Sequence, residues 1–261
     1  MALTERSGHA LEIAVAHAKD YDVVFTLGGD GTAMEVAAAL ASSEIPIGVL
    51  PAGTGNLLAR ALNIPLDVRR AVPALIRGTV RKIDLGVVLG RHFAVAAGVG
   101  IDAAMVAETS PRMKHRLGVL GYTLIATRAA LRIVLFRRFF HVRIEMDGEI
   151  IERTAATVLF ANFGAILEGR ISFGPGIECD DGLIDCCIFS PTSLGDALRI
   201  MWRLMRRDFR PDAALLYRRG RQFRLETIPV LPIQADGELL GVTPAVVHVE
   251  PFAAHMLVPR Q

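Results

Sequence analysis

The chain has 261 residues, of which 52% are hydrophobic and 21% are charged. This composition excludes a disordered or low-complexity protein, and the length suits one large or two modest domains. The 29 basic and 27 acidic residues give a net charge of +2, which excludes attraction of the whole molecule to nucleic acid or a membrane, so such affinity must come from local patches.

The sequence predicts a cytoplasmic protein without a membrane span. Residues 1–20 lack the apolar stretch of a signal peptide. Arg128 and Arg132 interrupt the most membrane-like run, Leu117 to Phe136, and each would cost roughly 2.5–3.5 kcal/mol near a bilayer centre.

The first 85 residues alternate helical and strand-like patterns, with a glycine-rich turn after each strand. This order predicts a parallel sheet with ligands at the carboxyl ends of its strands. The predicted elements are, in order, a helix from Thr4, a strand from Asp22 to Leu27, a helix over 33–42, a strand from Ile45 to Leu50 and a helix that opens at Leu57.

From about residue 90 the pattern changes to the period-2 alternation of half-buried strands, as in Val142, Ile144 and Met146. Asp147-Gly148 and Asp236-Gly237 stand where hairpin turns are expected. We therefore predict an antiparallel β-sandwich interrupted by two helices, over 110–138 and 193–207.

The first glycine turn, Gly28 to Thr32, reads Gly-Gly-Asp-Gly-Thr and directly follows a buried strand. Glycines there let backbone N–H groups approach an anion, and the next helix adds its dipole, so the turn could hold a phosphate. It matches neither the P-loop nor the dinucleotide fingerprint. Asp30 suits Mg²⁺ beside the phosphates. The alternative is a tight turn in which Asp30 caps a helix.

The second glycine turn, Pro51 to Asn56, repeats this arrangement at the end of the next strand. Thr54, Gly55 and Asn56 could therefore face the same crevice as Asp30. For this turn alone, a helix cap by Thr54 is the better interpretation.

At this point the chain resembles the diacylglycerol kinase catalytic-domain family, and in particular its soluble bacterial lipid kinases. The resemblance covers essentially the whole chain, because five short motifs occur in the family's order. These are Gly28 to Thr32 with Glu35, Leu50 to Asn56 with Ala59-Arg60, Gly98 to Ala103, Asp180 to Asp185, and Asp236 to Glu238.

The resemblance implies two domains with an active site in the cleft between them. The α/β nucleotide domain would span 1–88, and the β-sandwich domain would span 89–261, whose last residues could return to the first domain. ATP and Mg²⁺ would be required. The residues implied to hold the nucleotide are Gly28, Gly29, Asp30, Gly31, Thr32, Ala33, Met34, Glu35, Thr54, Gly55 and Asn56.

Glu238, in the Asp-Gly-Glu motif, is implied to be the proton acceptor, with Asp30 as its catalytic partner at the nucleotide. A carboxylate within ~2.6–3.2 Å of an alcohol can accept its proton as the bond to phosphorus forms. Viewed alone, the tripeptide is equally a hairpin turn. The same tripeptide at 147–149 is interpreted as that plain turn.

Residues 180–183 resemble the family's structural magnesium loop. By resemblance its ligands are the carbonyls of Glu178 and Leu183 and the carboxylate of Asp181. A turn closed by an Asx hydrogen bond, without metal, is the alternative.

Two basic segments mix arginines with apolar residues, at 112–138 and 199–210. Such helices suit the anionic inner face of a membrane, at about 1 kcal/mol per basic residue near the headgroups. A solvated helix face packed on the sandwich is the alternative.

The chain departs from the family pattern at two places. It starts after the family's first strand and its Asn-Pro-x-Ser-Gly turn, so we expect a first domain that lacks one strand–helix unit and a sheet edge where a second copy could pair into a homodimer. Met34 stands where relatives carry a polar Asn, which removes one hydrogen-bonding group.

The sequence thus predicts an ATP- and Mg²⁺-dependent kinase of diacylglycerol or a related lipid. Two alternatives stay open. One is a kinase of a soluble acceptor such as NAD, whose family shares the Gly-Gly-Asp-Gly turn. The other is a catalytically silent protein that binds lipid or nucleotide.

Overall fold

The computed structural model describes residues 1–100, 139–166, 171–172 and 174–260. The predicted helix over 110–138 and the motif residues 101–103 lie outside this part of the chain. No helix in these ranges is long and apolar enough to cross a membrane.

The amino-terminal part alternates strands and helices as predicted. Its elements are α1 (His9–His17), β1 (Val24–Gly28), α2 (Asp30–Ala39), β2 (Ile47–Pro51), α3 (Leu57–Ala61) and α4 (Val68–Ile76), with a 3₁₀ turn at Ala18–Asp20. β1 and β2 pair in parallel, in register from Val24 opposite Ile47 to Gly28 opposite Pro51.

Two helix starts differ from the prediction. α1 begins at His9 and not at Thr4, because Gly8 before it adopts a left-handed conformation with φ 83°. α2 begins at Asp30, three residues earlier than predicted, so the second half of the first glycine turn is already helical.

The rest of the described chain is mostly antiparallel. Its elements are β3 (Thr79–Val88), β4 (Arg91–Phe93), β5 (Ala96–Gly100), β6 (Phe140–Met146), β7 (Glu149–Ala155), β8 (Thr157–Ala161), β9 (Ala165–Ile166), β10 (Ile171–Ser172), β11 (Ile184–Phe189), α5 (Leu194–Met205), β12 (Leu215–Gly220), β13 (Gln222–Ile228), β14 (Pro232–Ala235), β15 (Glu238–Val242) and β16 (Ala245–Val258).

Two sheets face each other and form the predicted sandwich. In the first, the strand order is β1-β2-β16-β13-β6-β7, with β3 attached to β16 and β4 attached to β3. In the second, the order is β12-β11-β8-β5-β14-β15. Side chains from both sheets, including Phe93, Phe160 and Phe223, pack into one buried cluster.

β16 links the two parts of the protein. Its first half pairs with β13, and its last residues reach the parallel strands, where Met256 lies opposite Ile47 of β2. β3 runs antiparallel beside it, with a register shift between Glu250 and Ala254. One long strand therefore belongs to both the sandwich and the parallel layer.

Asp84 of β3 stabilises the region where β16 passes from the sandwich to the parallel layer. Its carboxylate is buried and accepts hydrogen bonds from the backbone N–H of Phe252 in β16 and of Gly182, both at 2.7 Å. Burial raises its pKa above the ordinary value, and the two backbone donors lower it.

We expect Asp84→Ala to lower the free energy of unfolding by about 1.5–4.5 kcal/mol, because it leaves the buried N–H of Gly182 without an acceptor at roughly 1–3 kcal/mol and removes the part-buried bond to Phe252 at roughly 0.5–1.5 kcal/mol. Denaturant unfolding measures this change. Asp180→Ala is the matched control, since its ion pair with Arg81 at 2.9 Å is partly exposed and worth about 1 kcal/mol at most. Equal losses in the two variants would contradict the assignment.

Candidate active site

The two glycine turns touch at the carboxyl ends of β1 and β2. The N–H of Ala52 donates to the carbonyl of Gly28 at 2.8 Å. A Cβ added to Gly53 would lie 2.5 Å from the Cα of Gly29, a distance that only glycine permits. The two turns therefore touch through their backbones, and a shared crevice stays a prediction.

Asp30 joins the two turns through its side chain. Its Oδ1 accepts a hydrogen bond from the N–H of Leu58 at 3.2 Å, and its Oδ2 lies 2.8 Å from the position that a Cβ would take on Gly55. Burial raises the pKa of Asp30, while N–H groups at the start of α3 lower it. One carboxylate oxygen thus caps α3, and the other points to the second turn.

Asn56 stabilises the second turn from inside. It adopts a left-handed conformation with φ 48° and is buried. Its side-chain amide accepts from the N–H of Gly53 at 3.0 Å and donates to the carbonyl of Gly53 at 2.8 Å. Thr54, between them, is half-buried. The amide of Asn56 is therefore engaged within the turn.

The remaining residues predicted at the nucleotide lie on α2 and differ in their surroundings. Ala33 is buried in the core, and Met34 lines the cavity described below. Glu35 accepts hydrogen bonds from the N–H of Gly8 at 2.6 Å and of Ala10 at 3.1 Å, so its carboxylate caps α1. Sequence reasoning missed this capping contact, because nothing local to α2 indicates it.

The Asp-Gly-Glu tripeptide forms the hairpin turn between β14 and β15. Asp236 and Gly237 have φ values of 45° and 85°. Asp236 turns inward, and its carboxylate accepts from the N–H groups of Ala94, Val95 and Ala96 at 2.7–3.0 Å. The turn is thereby fixed to the backbone that leads into β5.

Glu238 is the first residue of β15, and its side chain extends to the first glycine turn. Its Oε1 lies 2.9 Å from the position that a Cβ would take on Gly31, in the first turn of α2. Its side chain is 57% exposed, and the Arg91 guanidinium lies 4.0 Å from Oε2. The structure therefore brings Glu238 and Asp30, the two predicted catalytic residues, to the same turn of α2.

A cavity of about 490 Å³ lies between the two parts of the protein at this point. One wall includes Gly8 and residues of α1 and α2, among them Leu11 and Met34, and the sandwich contributes the other. The sandwich wall includes Arg91, His92, Asp236, Glu238 and Leu240. Arg91 and His92 were not predicted, since β4 carries no recognisable motif.

The predicted metal loop lies in another turn of the described chain. Asp181 Oδ1 accepts from the N–H of Leu183 at 3.0 Å, and Arg219 lies 3.4 Å from Oδ2. Glu178, in the same loop, has an exposed side chain. Within the described ranges no three His, Cys, Asp or Glu side chains cluster as metal ligands would. The Asx hydrogen bond of the alternative interpretation is therefore present, and ligation of a metal by Asp181 and the carbonyls of Glu178 and Leu183 stays a prediction.

The raised pKa of Asp236 is expected to make the free energy of unfolding depend on pH. Burial raises its pKa from 3.8 to about 6, the three N–H donors lower it, and Asp30 raises it further. The folded state therefore keeps a proton that the unfolded chain releases. The contribution of this protonated carboxyl to the free energy of unfolding is complete below the unfolded pKa and is lost as the pH rises through about 6.

Asparagine does not titrate. The free energy of unfolding of the wild type, minus that of Asp236→Asn, should therefore fall by roughly 1–3 kcal/mol between about pH 4 and pH 7. Urea unfolding of both proteins across this interval measures the difference. A difference that stays constant or grows with pH would contradict the assignment.

Comparison with known proteins gives two family matches that together cover nearly the whole chain. Residues 1–88 match the diacylglycerol kinase catalytic domain. Residues 94–258 match the YegS C-terminal NAD kinase beta sandwich-like domain.

Similar proteins agree with these matches. A diacylglycerol kinase of Bacillus subtilis is 28% identical over 229 residues, which cover 87% of this chain and 74% of the relative. An uncharacterized protein of Synechocystis is 29% identical over 90% of this chain, and the chain spans about half (54%) of that relative's length. A crystal structure of a Bacillus anthracis diacylglycerol kinase shares the fold, with a TM-score of 0.74, 22% identity, and coverage of 98% of this chain and 83% of that one.

Proposed function

The chain belongs to the family that joins a diacylglycerol kinase catalytic domain to a YegS-type β-sandwich domain, and we propose that it transfers the γ-phosphate of ATP to the hydroxyl of diacylglycerol or a related lipid. The observation that carries the proposal is the approach of Glu238, from the sandwich, to Gly31 at the start of α2. This approach puts a carboxylate next to the turn at which we place the nucleotide phosphates.

The nucleotide phosphates would lie at the first glycine turn. No side chain caps the amino-terminus of α2, and Gly29 precedes it in an extended conformation. The helix dipole and the first N–H groups there favour an anion. The second turn, packed against Gly29 through Gly53, would support the phosphates from the other side.

Mg²⁺ fits the same place because hard cations take carboxylate oxygens, and Asp30 points Oδ2 toward Gly55 at the meeting point of the turns. Bound there with ATP, the ion would neutralise phosphate charge. Asp30 would then have two functions, since its Oδ1 caps α3.

Glu238 would accept the proton of the lipid hydroxyl. As the hydroxyl oxygen bonds to the γ-phosphorus, the bond from that phosphorus to the β,γ-bridging oxygen breaks, ADP leaves, and the proton passes to the carboxylate. Three N–H groups hold Asp236, and this fixes the turn from which Glu238 projects. The acceptor lies in a membrane, so the enzyme would work at the inner membrane surface.

A kinase of a soluble acceptor is the second candidate, favoured by the likeness of residues 94–258 to an NAD kinase-type sandwich. An acceptor panel separates the two. The protein with Mg²⁺ and γ-labelled ATP is given diacylglycerol, sphingosine and NAD in competition, and the labelled products are identified by mass. We expect labelled lipid. Labelled NADP alone would support the soluble acceptor, and nucleotide or lipid binding without any product would support a silent binding protein.

A further inference from the structure

Only part of the apolar surface of helix α5 (Leu194–Met205) is covered by the rest of the protein. Ile200 and Leu204 are buried in the core, whereas Leu198, Trp202 and Met205 are 62%, 56% and 56% exposed. At about 100° per residue, the exposed row from Leu194 to Met205 spans about 80° of the helix, centred about 140° away from the buried pair. A helix that only covered a sandwich would carry polar residues along that row.

Arginines surround this row and line a surface cavity of about 540 Å³. The guanidinium of Arg206 lies 4.6 Å from the centre of the Trp202 ring. Arg203 is held by Asp208 and Asp212, and Arg210, which is 83% exposed, is paired with Asp208 at 2.6 Å. These ion pairs fix the positions of Arg203 and Arg210 at the cavity.

We propose that this α5 face, the exposed row together with Arg199, Arg206 and Arg210, docks the protein on an anionic phospholipid surface. The apolar row would enter the boundary between headgroups and acyl chains, while the arginines contact headgroup phosphates. Guanidinium groups match phosphate oxygens in geometry and charge. The proposal rests on the lipid kinase function, which requires access to a bilayer.

Charge disfavours two other occupants of the face. Residues 112–138 contain seven Lys and Arg and no Asp or Glu, so this segment and the arginines would repel each other. Residues 194–212 contain five Arg and three Asp, so a second copy bound about a two-fold axis would bring two faces of net positive charge together. An anionic surface complements both the face and this segment.

A short hairpin connects α5 with the helix after the second glycine turn. The hairpin of β9 and β10 contacts α5 through β10 and contacts α3 through β9. α3 directly follows Asn56, the last residue of that turn. A chain of backbone contacts therefore runs from α5 to the helix that follows the second glycine turn.

Trp202 is the single tryptophan of the chain and reports directly on this face. The intact protein, without ATP, is mixed with vesicles that contain phosphatidylglycerol or only phosphatidylcholine. We expect a blue shift and quenching by brominated acyl chains with the anionic vesicles alone, weakened by salt. Cosedimentation without either change in Trp202 fluorescence would overturn the proposal, as would no binding to anionic vesicles.

Variants that keep the tryptophan test the face itself. Leu198→Asp should abolish the shift, and Arg206→Glu should weaken binding at least fivefold, the factor that corresponds to about 1 kcal/mol per basic residue near an anionic surface. Ile76→Asp and Arg224→Glu, exposed elsewhere, are the matched controls. Wild-type binding by Leu198→Asp would overturn the proposal, and its conversion from dimer to monomer in sedimentation would identify the face as a contact between copies.

Phosphorylation of dioctanoylglycerol dispersed without vesicles separates the docking surface from the kinase function. Product formation without vesicle binding would refute the docking surface and retain the kinase. Vesicle binding with the Trp202 shift but no phosphorylated product would refute the kinase function and retain the docking surface.

Discussion

Replacing Glu238 by glutamine is expected to lower the turnover number by a factor of about 10²–10⁴, the range for loss of a positioned general base, while ATP binding is retained. The amide keeps the size of the side chain beside Gly31 but cannot accept the proton. Steady-state transfer to diacylglycerol gives the turnover, and calorimetry gives the ATP affinity.

The chain supplies its own control for this variant. Asp147-Gly148-Glu149 repeats the tripeptide at the hairpin between β6 and β7, with φ values of 49° and 83° at its first two residues. There Glu149 is paired with Arg218 at 3.0 Å. Glu149→Gln should retain wild-type turnover. Equal loss in both variants, or full turnover in Glu238→Gln, would refute the assignment of the proton acceptor.

Gly53→Ala is expected to damage both the stability and the activity of the protein. The new Cβ would lie 2.5 Å from the Cα of Gly29, and because both atoms are held by backbone, the turns must move apart. Such overpacking costs about 1–3 kcal/mol of stability. A displacement of about 1 Å at a reacting site can lower the rate roughly 10²-fold. Thermal unfolding and the ratio kcat/KM for ATP measure the two losses.

Gly29→Ala tests the same contact from the other side. Its Cβ would lie 3.4 Å from the Cα of Gly53, an ordinary van der Waals distance, and the φ of Gly29 is −89°. We therefore expect a much smaller loss of thermal stability than in Gly53→Ala. If the two variants lose equal stability, the close contact does not decide the fit of the turns.

Local sequence was enough to predict the parts of the fold that depend on neighbouring residues. The strand–turn–helix order and both Asp-Gly hairpins were predicted correctly, because period and turn chemistry are local properties. The start of α2 was predicted three residues late, since the glycines of the first turn concealed that Asp30 is already helical.

The contacts that complete the site connect residues far apart in the chain. Glu35 caps α1 through Gly8, and Asp236 binds the backbone of Ala94 to Ala96. Neither partner carries a side-chain signal, because each contact uses backbone N–H groups. The pairing of Met256 with β2 is equally non-local, so sequence periodicity could not locate it.

The most direct test of the account is a single-turnover measurement of label from γ-labelled ATP, with the protein in excess over ATP, Mg²⁺ present and diacylglycerol in mixed micelles. We expect the label to pass to phosphatidic acid in the wild type and to pass at least about 10²-fold more slowly in Glu238→Gln, although both bind the nucleotide. Label that never reaches a lipid in the wild type, or that reaches it equally fast in the variant, would contradict the account.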